Sequence, residues 1–149
     1  MRPQYWDTSA LLKLYTHESD TNYIIDLAAK EAQPICTSII ATLEVLSALH
    51  RKQRAGEVPP DEARQDMLDF ETDCAEGRVT RLPCGDEMVA QAREVMELAR
   101  TQPRNIMIRS LDAIHVASAL SIRAGSLVAT DGRLREVAAL AGLKLIPKG

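Results

Sequence analysis

The stretch PQYWDTSALLKLY, residues 3–15, decides how the fold is read. Its first part, PQYWD, suits a short apolar strand ending at Asp7, and its second, SALLKLY, has helical spacing at Leu11, Leu12 and Tyr15. A strand feeding directly into a helix begins an α/β alternation, and a carboxylate stands at the joint. Asp7 can cap that helix, because Asp is a favoured N-cap residue, or it can hold a ligand. The stretch by itself does not choose.

The alternation continues along the chain. Residues 20–32 fit a helix with Ile24, Ile25, Leu27 and Ala28 on its inner side, closed by Pro34. PICTS (34–38) reads as a second strand, and the helix that follows, over 38–54, is stopped by Gly56 and the Pro59-Pro60 pair. Helices also fit 61–74 and 86–100, with VTRLP (79–83) as a third strand between them. After a loop at 101–105, the spacing predicts a helix over 110–123 with Gly125 as its C-terminal stop. A strand SLVATD (126–131), a helix RLREVAALAG (133–142) and a last strand KLIP (144–147) complete the chain. Short apolar strands alternating with helices predict an α/β sandwich, a mainly parallel sheet of about five strands covered on both faces. A length of 149 residues suits a single domain, 1–149.

No run approaches the roughly 20 apolar residues of a membrane span, and the N-terminus lacks a signal-like core, so a cytoplasmic location and no membrane partner are expected. Cys36, Cys74 and Cys84 are odd in number and widely spaced, which fits neither a disulfide framework nor a CxxC zinc site. The net charge of −3 argues against a duplex binder, but it is unevenly spread: residues 1–100 carry 11 Lys and Arg against 18 Asp and Glu, whereas 101–149 carry 7 against 3. The C-terminal third is therefore the expected source of phosphate contacts. The 61–76 helix holds six acidic residues between Asp61 and Asp73 and reads as a solvated face, with an insertion hairpin or a partner surface left open.

Four acidic residues do not belong on a polar surface. Asp7 and Asp131 end strands, Glu44 interrupts SIIATLEVLSAL, and Asp112 lies in SLDAIHVASAL. The last two segments are apolar nearly all round, as buried helices are, and an ionised carboxylate there must be paired, coordinated or placed at a cleft. In an open parallel sheet the functional crevice lies beyond the C-terminal strand ends, where helix N-termini also gather, so the four are expected to converge. Two ionised carboxylates about 4 Å apart repel by roughly 4 kcal/mol at an effective dielectric of 20, so such a cluster is either partly protonated or holds a cation. An all-carboxylate donor set suits Mg²⁺ or Mn²⁺, whose chemistry with phosphate oxygens makes phosphodiester hydrolysis the natural reaction. Each acid also has a bland alternative: helix caps for Asp7 and Asp112, the TDGR turn for Asp131, and an ion pair with Arg51 or His50 for Glu44.

Weaker candidates surround them. His115, one turn after Asp112, can donate to a carboxylate or phosphate or sit satisfied in the core. Trp6 can stack on a base only if exposed, and Arg133 and Arg135 can meet phosphate or start a solvated helix.

These motifs, YWDTSALLKLY, SIIATLEVLSAL, SLDAIHVASAL and LVATDGRL, resemble in order and spacing the PIN-domain family of metal-dependent ribonucleases, and most closely its VapC-type toxins. The resemblance implies a PIN-like, Rossmann-like fold and an endoribonuclease of a toxin-antitoxin pair. It implies that Asp7 and Asp112 are the principal Mg²⁺ ligands (Mn²⁺ being possible), that Glu44 and Asp131 complete the catalytic site, and that Thr8 and Ser9 cap the helix and orient Asp7. It further implies an RNA substrate, a cognate antitoxin over the site and a homodimer. Arg135 stands where some related nucleases carry another acid, which bears on a second metal. The alternatives are a PIN nuclease that is not a toxin, a non-catalytic PIN-fold binding partner, and a phosphatase with an aspartyl nucleophile. The last wants an acid two residues after the first, where this chain has Ser9.

Overall fold

The computed structural model describes residues 2–19, 21–30, 35–104 and 106–147. Strands β1 (Gln4–Trp6), β2 (Ile35–Ser38), β3 (Val79–Leu82), β4 (Ser126–Val128) and β5 (Leu145–Ile146) form one sheet in the order β3-β2-β1-β4-β5, every neighbouring pair parallel. Between them run α1 (Thr8–Leu11), α2 (Thr21–Lys30), α3 (Ala41–Arg54), α4 (Pro60–Ala75), α5 (Asp86–Arg100), α6 (Ser110–Ser121) and α7 (Gly132–Leu140). The expected α/β sandwich is present. The Asp20 start of α2, its end at Ala32 and the closing Pro34 lie outside the described residues, as does Asn105.

Period-two alternation builds the layers. Tyr5, Leu127 and Leu145 point to one face, into a core with α5, α6 and α7; Trp6, Val128 and Ile146 point to the other, into a core with α1 to α4. Sheets covered on both faces have strands without polar alternation, which is why YW and LV read as continuous apolar runs. Tyr5 and Trp6, both fully buried, tie the central strand into both cores. The chain winds outward from β1 through β2 to β3, then crosses to β4 on the other side of β1. That reversal is a topological switch point, and it lies between β1 and β4, which pair Tyr5 with Leu127 and Trp6 with Val128.

Three expectations are corrected. The helix over 38–54 begins at Ala41, because Ser38 still pairs with Leu82 in the sheet, and it is not buried all round: Leu43 is 71% exposed. The stop of α6 is not Gly125. Arg123 takes the left-handed conformation (φ 50°), its N–H donates to Leu120 O at 3.0 Å and that of Ala124 to Ala119 O at 3.0 Å, a Schellman ending. Gly125 is instead needed for close approach, since a Cβ there would meet Arg2 Cβ at 3.1 Å while its N–H donates to Pro3 O at 2.8 Å. β4, finally, ends at Val128, so Asp131 lies past the strand.

Candidate active site

The C-terminal ends of β1 and β4 open into a cleft of about 940 Å³ lined by Asp7, Glu44, Asp112 and Asp131 together. The four acids singled out in the sequence do meet. Among the described residues no helix is long and apolar enough to cross a membrane, and Cys74 and Cys84 are free thiols.

Asp7 follows β1 directly, and its N–H donates to Val128 O at 3.0 Å. It is 3% exposed. Its Oδ1 accepts the Ala10 N–H at 3.0 Å, and Ser9 Oγ lies 2.8 and 2.7 Å from Oδ1 and Oδ2. Asp7 is thus its own helix cap, and the expected division, with Thr8 and Ser9 capping, is corrected: Ser9 orients the carboxylate and Thr8 goes elsewhere. Ser9 Oγ in turn accepts from Thr130 Oγ1 at 3.1 Å and Thr130 N at 3.3 Å, which ties the loop after β4 to α1. Burial, foremost, and the nearby Asp131 push the Asp7 carboxyl up to about 6, against the pull of His115, Ser9 and the Ala10 N–H. This is an acid held at a cost, with a hydroxyl and a backbone N–H as its bonded donors.

Glu44, in the first turn of α3, is fixed through one oxygen. Its Oε1 accepts Thr8 Oγ1 at 2.7 Å and lies 2.6 Å from His115 Nε2. Neither Arg51 nor His50 is its partner, contrary to the ion-pair alternative; Arg51 bonds Ser47. Burial raises the Glu44 carboxyl, but the bonds from His115 and Thr8 and the charge of Arg109 outweigh it, so the group titrates below the ordinary range. His115 is 1% exposed and satisfied at both nitrogens, with Nδ1 2.7 Å from Tyr5 Oη. A carboxylate only accepts, so Nε2 carries a proton and Tyr5 O–H donates to Nδ1 when the ring is neutral. The two sequence readings of His115 are therefore both realised in one buried chain, Tyr5–His115–Glu44–Thr8.

Asp112, 6% exposed, sits in the first turn of α6, and Asp131 caps α7 through Oδ1, which accepts from Arg133 N at 3.0 Å and Leu134 N at 3.2 Å. Sequence reading missed the residue between them. Arg109, the N-cap of α6, donates Nε to Asp112 Oδ2 at 3.1 Å and places a guanidinium nitrogen 3.6 Å from Asp131 Oδ2. An Arg three residues before an Asp at a helix start was the available signal. Thr130 was missed as well, and nothing in its ordinary loop context marked it. Trp6 is fully buried and donates to Gln4, which removes it as a stacking platform. Arg135 donates to the carbonyls of Ala129 and Pro147 and so clamps the last strand, while Arg133 is exposed.

The donor set fits a hard divalent ion bound in a particular way. Among the described residues no three His, Cys, Asp or Glu side chains close into a metal cage. Mg²⁺, however, is commonly held by one or two carboxylates with water and substrate oxygens completing its shell, and two almost fully buried carboxylates, Asp7 and Asp112, face one cleft here.

The PIN domain family matches residues 5–140. No curated protein matches the chain. Among solved structures, VapC20 of Mycobacterium tuberculosis, a toxin that cleaves the sarcin-ricin loop, superposes with a TM-score of 0.70 at 18% identity over 89% of this chain and 93% of its own. VapBC2 of Rickettsia felis, bound to a promoter DNA fragment, follows at 0.65 and 17%, covering 95% and 96%. FitAcB of Neisseria gonorrhoeae gives 0.64 and 13%, covering 95% of each chain. At these identities the superpositions establish a shared fold. Together with the family match over most of the chain, they make this protein a member of the PIN domain family.

Proposed function

We propose that this protein is a Mg²⁺-dependent endoribonuclease, with Mn²⁺ able to substitute, and the toxin of a toxin-antitoxin pair. The observation that carries the reading is the convergence of Asp7, Glu44, Asp112 and Asp131 in one cleft at the switch point of the sheet. Asp7 and Asp112 would hold the ion, which when bound supplies a Lewis acid for phosphoryl oxygen and water. Asp7 is preset for this by Ser9 and the Ala10 N–H. Glu44, anchored through Oε1, keeps Oε2 for a proton or a water, and the His115 and Thr8 bonds keep it ionised to receive one. Asp131 shapes the field around Asp7 and meets Arg109, which also bonds Asp112 and so links the two acids.

In this reading an antitoxin covers the cleft, as the VapBC2 complex among the structural neighbours suggests, and the chain forms a homodimer, as the motif resemblance implies. The test is direct. The purified chain, free of any partner, is expected to cut single-stranded or loop RNA when Mg²⁺ or Mn²⁺ is present and to stop when EDTA removes the ion. Metal-independent cutting, or intact RNA under every condition, contradicts the reading. Intact RNA together with tight binding of a partner protein would favour the non-catalytic PIN-fold alternative.

A further inference from the structure

The acidic centre explains ion binding but not how a polyanion comes to rest beside it. Four carboxylates repel phosphates, so affinity for RNA must come from cations placed further along the cleft. The basic 101–149 region does not meet that need: of its arginines only Arg109 lines the cleft, and its charge is engaged by Asp112 and Asp131. The cations lie instead along α3. Glu44, Ser47, Ala48 and Arg51 share one helix face, and Arg51 stands two turns, about 10 Å, beyond Glu44.

The cleft runs on past Arg51 into a second hollow of about 400 Å³, walled by Leu12, Glu18, Lys52 and Glu57. The acids there are offset. Glu18 is paired with Lys13 and lies 3.1 Å from Lys52 Nζ, and Glu57 lies 3.5 Å from the same ammonium. Arg51 is different: its Nη1 donates to Ser47 Oγ at 3.0 Å, a neutral partner that aims the guanidinium without neutralising it. This trough therefore has an acidic pole and a cationic pole on one helix face.

We infer that Arg51, positioned by Ser47, seats a backbone phosphate of the RNA a short distance along the strand from the phosphate that is cut, so that the strand lies along α3 from Glu44 to Arg51. The inference rests on the nuclease reading and adds its substrate path. An exposed Arg presenting a planar fork is suited to phosphate, and a seat two turns from the carboxylates lets the scissile bond reach them.

Binding of a fluorescein-labelled single-stranded 12-nucleotide RNA, followed by anisotropy in EDTA over a range of salt, decides the matter. Arg51→Ala is expected to weaken binding about fivefold and to flatten the salt dependence by about 0.7 in log–log slope, the loss of one phosphate contact. Arg51→Lys should restore most of both, while Arg64→Ala, exposed on α4, should change neither. On an RNA that the wild type cuts, Arg51→Ala should raise KM by the same factor with kcat within about twofold. Unchanged affinity and slope in Arg51→Ala overturn the inference, as does a variant that binds RNA normally but loses a protein partner. If the wild type cuts no RNA, the nuclease reading fails, and the affinity and slope still decide whether Arg51 seats phosphate.

Discussion

Asp7 shows how one residue can be both cap and site. Sequence reading set these roles against each other, yet the structure gives the carboxylate to Ala10 N–H and leaves it facing the cleft. Its cost is measurable. With its carboxyl pushed up to about 6, the folded chain binds the Asp7 proton more tightly than the unfolded chain does. The stability this confers is complete below about pH 4 and is lost as pH rises through about 6, on the order of 2–3 kcal/mol. Asp7→Asn, measured by denaturant unfolding without divalent ions, should therefore exceed the wild type in stability at pH 8 and match it near pH 4. Asp66, also raised to about 6, contributes with the same sign in both proteins and cancels in the difference. Added Mg²⁺ should stabilise the wild type and not Asp7→Asn.

The buried Tyr5–His115–Glu44 chain belongs to the same scale. His115→Gln and Tyr5→Phe should lower kcat by about 10-fold or more with little change in KM, because each loosens Glu44 without touching RNA. Equal loss of KM and kcat would point to a general structural role. The motif made Glu44 legible; its partner was not, because a contact between residues 71 apart leaves no local trace in a single sequence.

At the level of elements, periodicity located every strand and helix of the sheet and erred at their ends. The α3 error is instructive. Leu43 reads as buried with the rest of an all-apolar helix, but it stands exposed in the wall of the cleft, because α3 packs one side on the sheet and turns another to the opening. The α6 ending failed for a different reason. Gly is the expected left-handed residue, and α7 does use Gly142 (φ 88°) in the matching position, with Leu143 N–H donating to Ala138 O at 3.0 Å. α6 places Arg123 there instead, since the nearby Gly125 is reserved for the backbone approach to Arg2 and Pro3. Arg123→Gly should accordingly raise stability by about 0.5–1 kcal/mol, read as a higher denaturant midpoint with unchanged slope.

For the whole molecule, the decisive fact is the winding order. Because β1 lies between β2 and β4, the chain reverses beside it, and the ends of β1 and β4 open on one crevice. The order of strands along a sheet cannot be read from periodicity, but the four acidic motifs anticipated its consequence, since carboxylates in apolar elements have few places to go. Charge was less legible: the basic C-terminal third suggested the phosphate contacts, whereas the cleft draws its unneutralised arginine from α3.

The central claim is that Asp7 and Asp112 carry metal-dependent RNA hydrolysis. Single-turnover cleavage of a susceptible RNA at saturating Mn²⁺, comparing wild type with Asp112→Asn, tests it most directly. The account predicts a fall of about 10³-fold or more in the cleavage rate with RNA affinity retained; a variant that cuts as fast as the wild type would contradict it.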